Sequence, residues 1–207
     1  MVRIGVLGST SGTDLQGVID AIEDKTLTGV EIVQVISNKE GAGILERAKR
    51  HEIPALYLSP RNKEGQRIPK EDYDAEMSRI LKENGVDLVL LIGYNKFISE
   101  RFVREWKNLV MNIHPSLLPS FAGSYDLNIH KAVLKRGCKI SAATLMFIDD
   151  GPDTGPIISQ GIVDVEDDDT PDSLKAKVQV VEVRLIIQGI KWFRDDRLRV
   201  DGSRVFH

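Results

Sequence analysis

The chain has 207 residues, and its 28 Lys and Arg against 31 Asp and Glu give a net charge of −3, which argues against a nucleic-acid partner. No stretch approaches the roughly 20 apolar residues of a membrane span, which argues against a membrane role. Cys138 stands alone, so no intrachain disulfide forms, and the N-terminus lacks a basic segment followed by a cleavable apolar run; both fit a cytoplasmic protein.

The chain reads as strands alternating with helices. Residues 3–9 are apolar and β-branched, predicting a strand. Residues 14–24 carry Leu15, Val18, Ile19 and Ile22 at helical spacing. A second strand follows at 31–38, a helix at 41–52, and a short strand at 54–59. The segment 70–85 is a strong helix stopped by Gly85. Residues 87–94 form a continuous apolar run, as in a strand covered on both faces. A short helix over 99–106 is capped by Ser99, and a strand follows through NLVMNIH. The second half holds a helix at 126–137 and two β-rich segments, 139–149 and 155–165, which pair antiparallel around Gly151, Pro152 and Asp153. A long helix over 170–196 opens with Thr-Pro, and a small hairpin forms around Asp201-Gly202. The order βαβαβαβαβ predicts an α/β, doubly wound, mostly parallel sheet with an antiparallel C-terminal extension and a long C-terminal helix. No repeat or linker is evident, so a single domain, 1–207, is expected.

After the first strand comes GSTSGTDLQ (8–16) and then a helix. Small residues there let backbone N–H groups approach an anion at a helix N-terminus. The loop is neither a Walker loop nor GxGxxG. A phosphate pocket and a simple tight turn are both compatible with it.

The strand ending at NLVMNIHPSLLPSF (108–121) carries the sharper signal. Residues i and i+2 of an extended chain point the same way, so Asn112 and His114 share a face. Pro115 biases His114 toward an extended backbone. Ligands bind at carboxyl ends of strands in open α/β sheets. An amide NH₂ beside an imidazolium makes a donor pair suited to an oxygen gaining charge in acyl transfer. A carboxylate would raise the imidazole pKa and hold it protonated near neutrality. Asp149, Asp150 and Asp153 sit in one later turn, and spacing does not choose among them. His51, His130 and His207 read as solvent-facing or packing residues, with no metal-ligand spacing.

The run Asn112-Ile113-His114-Pro115-Ser116-Leu117-Leu118-Pro119, with the later Asp153-Thr154-Gly155-Pro156, resembles the glycinamide ribonucleotide formyltransferases, within the enzymes that use 10-formyltetrahydrofolate. The likeness extends through SGTDLQ, SNKEGAGILERA, DLVLLIGYNKFIS and the last helix. It implies a Rossmann-like formyltransferase fold whose 1–108 half holds the phosphate substrate and whose 109–207 half holds catalysis and folate. Asn112, His114 and Asp153 are then the catalytic residues. Gly12, Thr13 and Asp14 hold the substrate phosphate, and Glu182 the ribose hydroxyls. Lys70, Tyr94, Asn95, Lys96, Phe97, Asn112, Asp149 and Asp150 are implied at the folate. The expected small molecules are glycinamide ribonucleotide and 10-formyltetrahydrofolate as formyl donor, with no metal; the sequence does not fix the oligomeric state and allows a homodimer.

Three features depart from the pattern. Thr13-Asp14 replaces Ser-Asn after the loop glycine, and a carboxylate about 4 Å from a phosphate costs roughly 4 kcal/mol at an effective dielectric near 20. Asp14 is therefore expected to point away and cap the helix, unless the ligand is not a plain phosphate ester. Met146 stands where the family usually has His. The segment 123–130 reads as lengthened. Alternative acceptors are water, initiator tRNA or a sugar amine; a non-catalytic paralogue is the other class. The first two call for an added N-terminal or C-terminal domain, which a chain starting at its first strand and ending in a hairpin disfavours.

Overall fold

The structure, a computed structural model, describes residues 1–124 and 126–207, and of residues 126 and 127 only the backbone. The chain divides into two compact units, Met1–Met111 and Asn112–His207.

The first unit contains β1 (Val2–Gly8), α1 (Thr13–Glu23), β2 (Val30–Ser37), α2 (Gly43–Arg50), β3 (Ala55–Tyr57), α3 (Lys70–Glu83), β4 (Leu88–Ile92) and α4 (Glu100–Glu105). Its strands run in the order β3-β2-β1-β4, and every pair is parallel. All five residues of β4 are buried, which explains its unbroken apolar run. Each such Leu or Ile stabilises the fold by about 1.5–3 kcal/mol. The third strand is shorter than expected. Ser59 bonds both the N–H and the carbonyl of Arg61, and a tight hairpin with an Arg61–Arg67 bridge takes over.

Polar side chains fix α4 against α3. The Ser99 hydroxyl caps α4 by accepting from the N–H of Phe102, as its sequence position predicts. Ser99's own N–H donates to the buried Asp74 carboxylate at 2.6 Å. Burial pushes the Asp74 pKa above its ordinary value, and the Ser99 bond only partly offsets this. The Trp106 indole donates to Ser78 Oγ at 2.9 Å.

The division between units falls inside β5 (Val110–His114). The second unit then holds α5 (Asp126–Arg136), β6 (Ile140–Phe147), β7 (Ile157–Asp164), α6 (Pro171–Arg194), β8 (Arg199–Asp201) and β9 (Arg204–Phe206). β6 and β7 pair antiparallel, with a register shift between Leu145 and Met146. Along β7, Ile158, Gly161 and Val163 are buried while Gln160, Ile162 and Asp164 face out, so one face is covered. α6 lies against β6, β7 and α5. It opens on a reciprocal cap, in which Thr170 Oγ1 accepts from the Ser173 N–H and Ser173 Oγ from the Thr170 N–H, with Pro171 next. The fold is thus α/β with a mostly parallel sheet, antiparallel C-terminal strands and a long C-terminal helix. No helix among the described residues is long and apolar enough to cross a membrane.

Candidate active site

β5 delivers Asn112 and His114 at its C-terminal end. Both side chains reach one carboxylate. Asn112 Nδ2 donates to Asp153 Oδ1 at 3.4 Å, and His114 Nδ1 lies 3.3 Å from Asp153 Oδ2. Of the three acidic candidates in the turn, the backbone selects Asp153. Its φ of 56° places it in the left-handed region, which Asp tolerates better than most residues and which aims it at β5. The turn closes tightly: a Cβ on Gly155 would sit 1.9 Å from the Phe147 carbonyl oxygen, so only glycine fits. Asp149 braces the turn instead, its Oδ1 accepting from the Gly151 N–H at 3.0 Å and the Thr154 hydroxyl at 2.7 Å. Asp150 is exposed.

Two backbone groups complete the cluster, and no side-chain pattern signals either. The Gly123 N–H donates to Asp153 Oδ2 at 2.8 Å. The Phe121 carbonyl lies 3.2 Å from His114 Nε2. A carbonyl can only accept, so Nε2 carries a hydrogen. Segment 115–124 is anchored by the buried Thr144, whose hydroxyl donates to the Ser116 carbonyl at 2.7 Å and accepts from the Leu118 N–H at 3.2 Å. The Gln160 amide donates to both Leu118 O and Thr144 Oγ1.

The electrostatics correct one expectation. Burial pushes the His114 pKa below its ordinary value, although Asp153 and the Phe121 carbonyl pull it upward. The imidazole side chain is only 5% exposed. The 3.3 Å contact with Asp153 is longer than the 2.7–2.9 Å typical of charge-assisted bonds, so the carboxylate recovers only part of what desolvation removes. Burial thus outweighs the carboxylate, and the net shift of His114 is downward.

In the first unit, the loop after β1 passes through Gly12 with φ 69°, where a Cβ would meet Ile44 at 2.6 Å. Gly12 is the N-cap of α1 and no side chain caps the helix. The expectation that Asp14 caps α1 fails for this reason: it is a first-turn residue, and it is 8% exposed. Thr13 Oγ1 lies 3.3 Å from Ser11 Oγ. Three loops are tied together by Ser9, whose hydroxyl donates to Asn38 Oδ1 at 2.6 Å and accepts from the Asn95 N–H at 3.1 Å. Asn38 Nδ2 closes the link to Asn95 Oδ1 at 3.0 Å. Sequence reading missed Ser9 and Asn38, which only the sheet order brings beside Asn95.

The remaining folate candidates of this unit lie on α3 and in the stretch after β4. Lys96 Nζ sits 5.9 Å from the centre of the Tyr73 ring. Tyr94 is half-buried, its hydroxyl 3.9 Å from Met77 Sδ, and burial raises its pKa. Phe97 is exposed, and Lys70 opens α3. In the second unit Glu182 is buried on α6, and Met146 is buried at the β6 register shift. The lengthened segment 123–130 lies partly outside the described residues. His51 bonds Glu23, His130 is fully buried, and His207 packs on Trp192. Among the described residues no group of three or more His, Cys, Asp or Glu is placed to hold a metal ion.

An amide, an imidazole and a carboxylate gathered at a strand end suit acyl-type group transfer. The chain belongs to the formyl transferase family: residues 2–190 match the family described as "Formyl transferase". It is 42% identical over 182 residues to the trifunctional purine biosynthetic protein adenosine-3 of Drosophila melanogaster, covering 87% of this chain and 13% of that protein. It is 32% identical over 205 residues to the chloroplastic phosphoribosylglycinamide formyltransferase of Arabidopsis thaliana, covering 97% and 68%. Among solved structures, glycinamide ribonucleotide transformylase 1 from Symbiobacterium toebii superposes with a TM-score of 0.88 at 35% identity, covering 100% and 93% of the two chains. The chain thus spans only a small part of the trifunctional relatives and most of the shorter ones.

Proposed function

We propose that this protein transfers the formyl group of 10-formyltetrahydrofolate to the amine of glycinamide ribonucleotide, a step of purine synthesis, in the cytoplasm. The observation that carries the reading is the convergence of Asn112 and His114 on Asp153, in a chain of the formyl transferase family. The relatives named for this activity support the choice of acceptor. The chain acts as a single formyltransferase domain and is assayed without a metal supplement.

The acceptor amine attacks the formyl carbon, a new C–N bond forms, and the bond from that carbon to N10 breaks. The amine loses one proton and N10 gains one. When substrate takes the place of the Phe121 carbonyl, the ring hydrogen shifts to Nδ1, facing Asp153, and Nε2 becomes the base. A downward-shifted imidazole suits a base that must start neutral. Once it takes the amine's proton, the imidazolium is stabilised by Asp153 and joins Asn112 Nδ2 in meeting the oxyanion. Burial then makes it a willing acid toward N10. The N–H groups of Gly12, Thr13 and Asp14 bind the phosphate, and Glu182 the ribose hydroxyls. Tyr94, Asn95, Lys96, Phe97, Asp149 and Asp150 line the donor, with Lys70 toward its acidic tail. Holding both substrates together supplies the entropic part of the acceleration.

The test is an absorbance assay of the purified protein with 10-formyltetrahydrofolate and a panel of acceptors. Turnover that requires glycinamide ribonucleotide supports the reading. Donor hydrolysis without acceptor, turnover only on a sugar amine, or none at all contradicts it.

A further inference from the structure

We infer that Arg47 is a positioning residue for the loop that holds the acceptor's phosphate; the inference rests on the function proposed above. The first helical bond of α1 runs from the Gln16 N–H to the Gly12 carbonyl at 3.2 Å. The N–H groups of Thr13, Asp14 and Leu15 precede it and have no acceptor within the helix. With the Gly12 N–H they form the donor set offered to an anion, and their usefulness depends on where they point.

α2 sets that direction through two successive peptides. The Ile44 N–H donates to the Thr10 carbonyl at 3.0 Å, and Arg47 Nε donates to the Ser11 carbonyl at 3.2 Å. A peptide unit is planar and trans, so a fixed carbonyl fixes the N–H on its other side. Anchoring Thr10 O aims the Ser11 N–H, and anchoring Ser11 O aims the Gly12 N–H, both away from α2. Gly43 packs so closely that a Cβ there would lie 3.1 Å from Ser11 Cα, leaving the loop no slack toward α2.

Arg47 is itself held. Its Nη1 donates to Gln16 Oε1 at 2.6 Å, and the Gln16 amide is fixed in turn by Asp20 Oδ1 at 2.6 Å and His51 Nε2 at 3.1 Å. One guanidinium therefore ties the last non-glycine residue of the loop to the first full turn of α1. Among the described residues Arg47 forms no ion pair, so its charge is not neutralised by a carboxylate. That matters in a loop followed by Asp14, whose charge opposes an anion.

The experiment compares Arg47→Met and Arg47→Lys with the parent protein, on glycinamide ribonucleotide and on its dephosphorylated glycinamide riboside. Met keeps the packing of the stem and removes charge and donors. The expected result is a KM for the ribonucleotide raised about tenfold or more, with kcat within about threefold and the donor's KM unchanged. Lys, with charge but no fork, falls between. On the riboside, parent and Met variant react alike, since the loop has no phosphate to hold. A general loss of structure would instead shift both KM values and the riboside rate. That outcome, or an unaltered ribonucleotide KM, overturns the inference alone. A parent protein inactive on glycinamide ribonucleotide overturns the functional reading and this inference together.

Discussion

Asp153 Oδ2 lies 3.3 Å from His114 Nδ1 and at the same time accepts the Gly123 N–H at 2.8 Å. The carboxylate is thus fixed by the loop that also supplies the Phe121 carbonyl to the other ring nitrogen. Asp153→Asn keeps an oxygen for Gly123 and tolerates the left-handed backbone, so it folds normally. Its turnover falls by about 10²–10⁴-fold, because the imidazolium loses its partner. Asp153→Ala additionally loses about 1–2 kcal/mol from the positive φ, read by denaturant unfolding. Equal stability of the two variants contradicts the strain argument.

The pH profile follows from the direction of the His114 shift. Its folded pKa lies below the ordinary value of 6.5, because of burial. With a neutral base required, kcat/KM rises with pH through that lowered pKa and is level above it. Removing Asp153 removes an upward pull, so the acid limb of Asp153→Asn moves to still lower pH. A limb above the ordinary histidine value would contradict the assignment. The same shift links to stability: it is fully present above pH 6.5 and is lost as pH falls through the folded pKa, since the unfolded chain binds the proton more readily.

Thr144 holds the segment carrying that carbonyl. Thr144→Val leaves the Ser116 carbonyl and the Leu118 N–H without their partner, costing about 1–3 kcal/mol. The slackened segment also lowers turnover while both KM values change less. Steady-state kinetics beside urea unfolding separates the two effects; a destabilised variant with normal kcat would show that the brace serves stability only.

Asp74 predicts a different pH response. Its folded pKa is raised by burial, so ionisation is harder in the folded chain. Stability therefore falls as pH rises from the ordinary carboxylate value through the raised one. Asp74→Asn keeps an acceptor for the Ser99 N–H and flattens this dependence. Melting temperatures of both proteins, measured from about pH 4 upward, check it; parallel curves refute it.

Asp14 is a first-turn residue, nearly buried, in the loop proposed for phosphate. Replacing its charge by an amide removes repulsion, so Asp14→Asn binds glycinamide ribonucleotide as well as the parent or more tightly. A large rise in KM would mean that the carboxylate itself contacts the acceptor.

Much of this was legible from local patterns. The strand ending at His114-Pro115, the Ser99 cap, the Thr-Pro entry of α6 and the glycine-bound turns follow from short-range chemistry. Asn112 and His114 sharing a face needed only the pleat. Spacing alone did not choose Asp153 over Asp149 and Asp150, although the family resemblance did; in the structure the choice depends on one left-handed residue in the turn. The Phe121 carbonyl left no trace, being a backbone group. Arg47 on Ser11, and Asn38 between Ser9 and Asn95, arise from contacts between elements far apart in the chain. The direction of the His114 shift turned on depth of burial, which the motif did not reveal.

The most direct measurement is the single-turnover rate of formyl transfer to glycinamide ribonucleotide, with both substrates saturating, for the parent and a folded His114→Ala variant. The account predicts acceptor-dependent transfer by the parent and a loss of about 10²-fold or more in the variant. Near-equal rates would show that the imidazole held between Asp153 and Phe121 does not carry the proton.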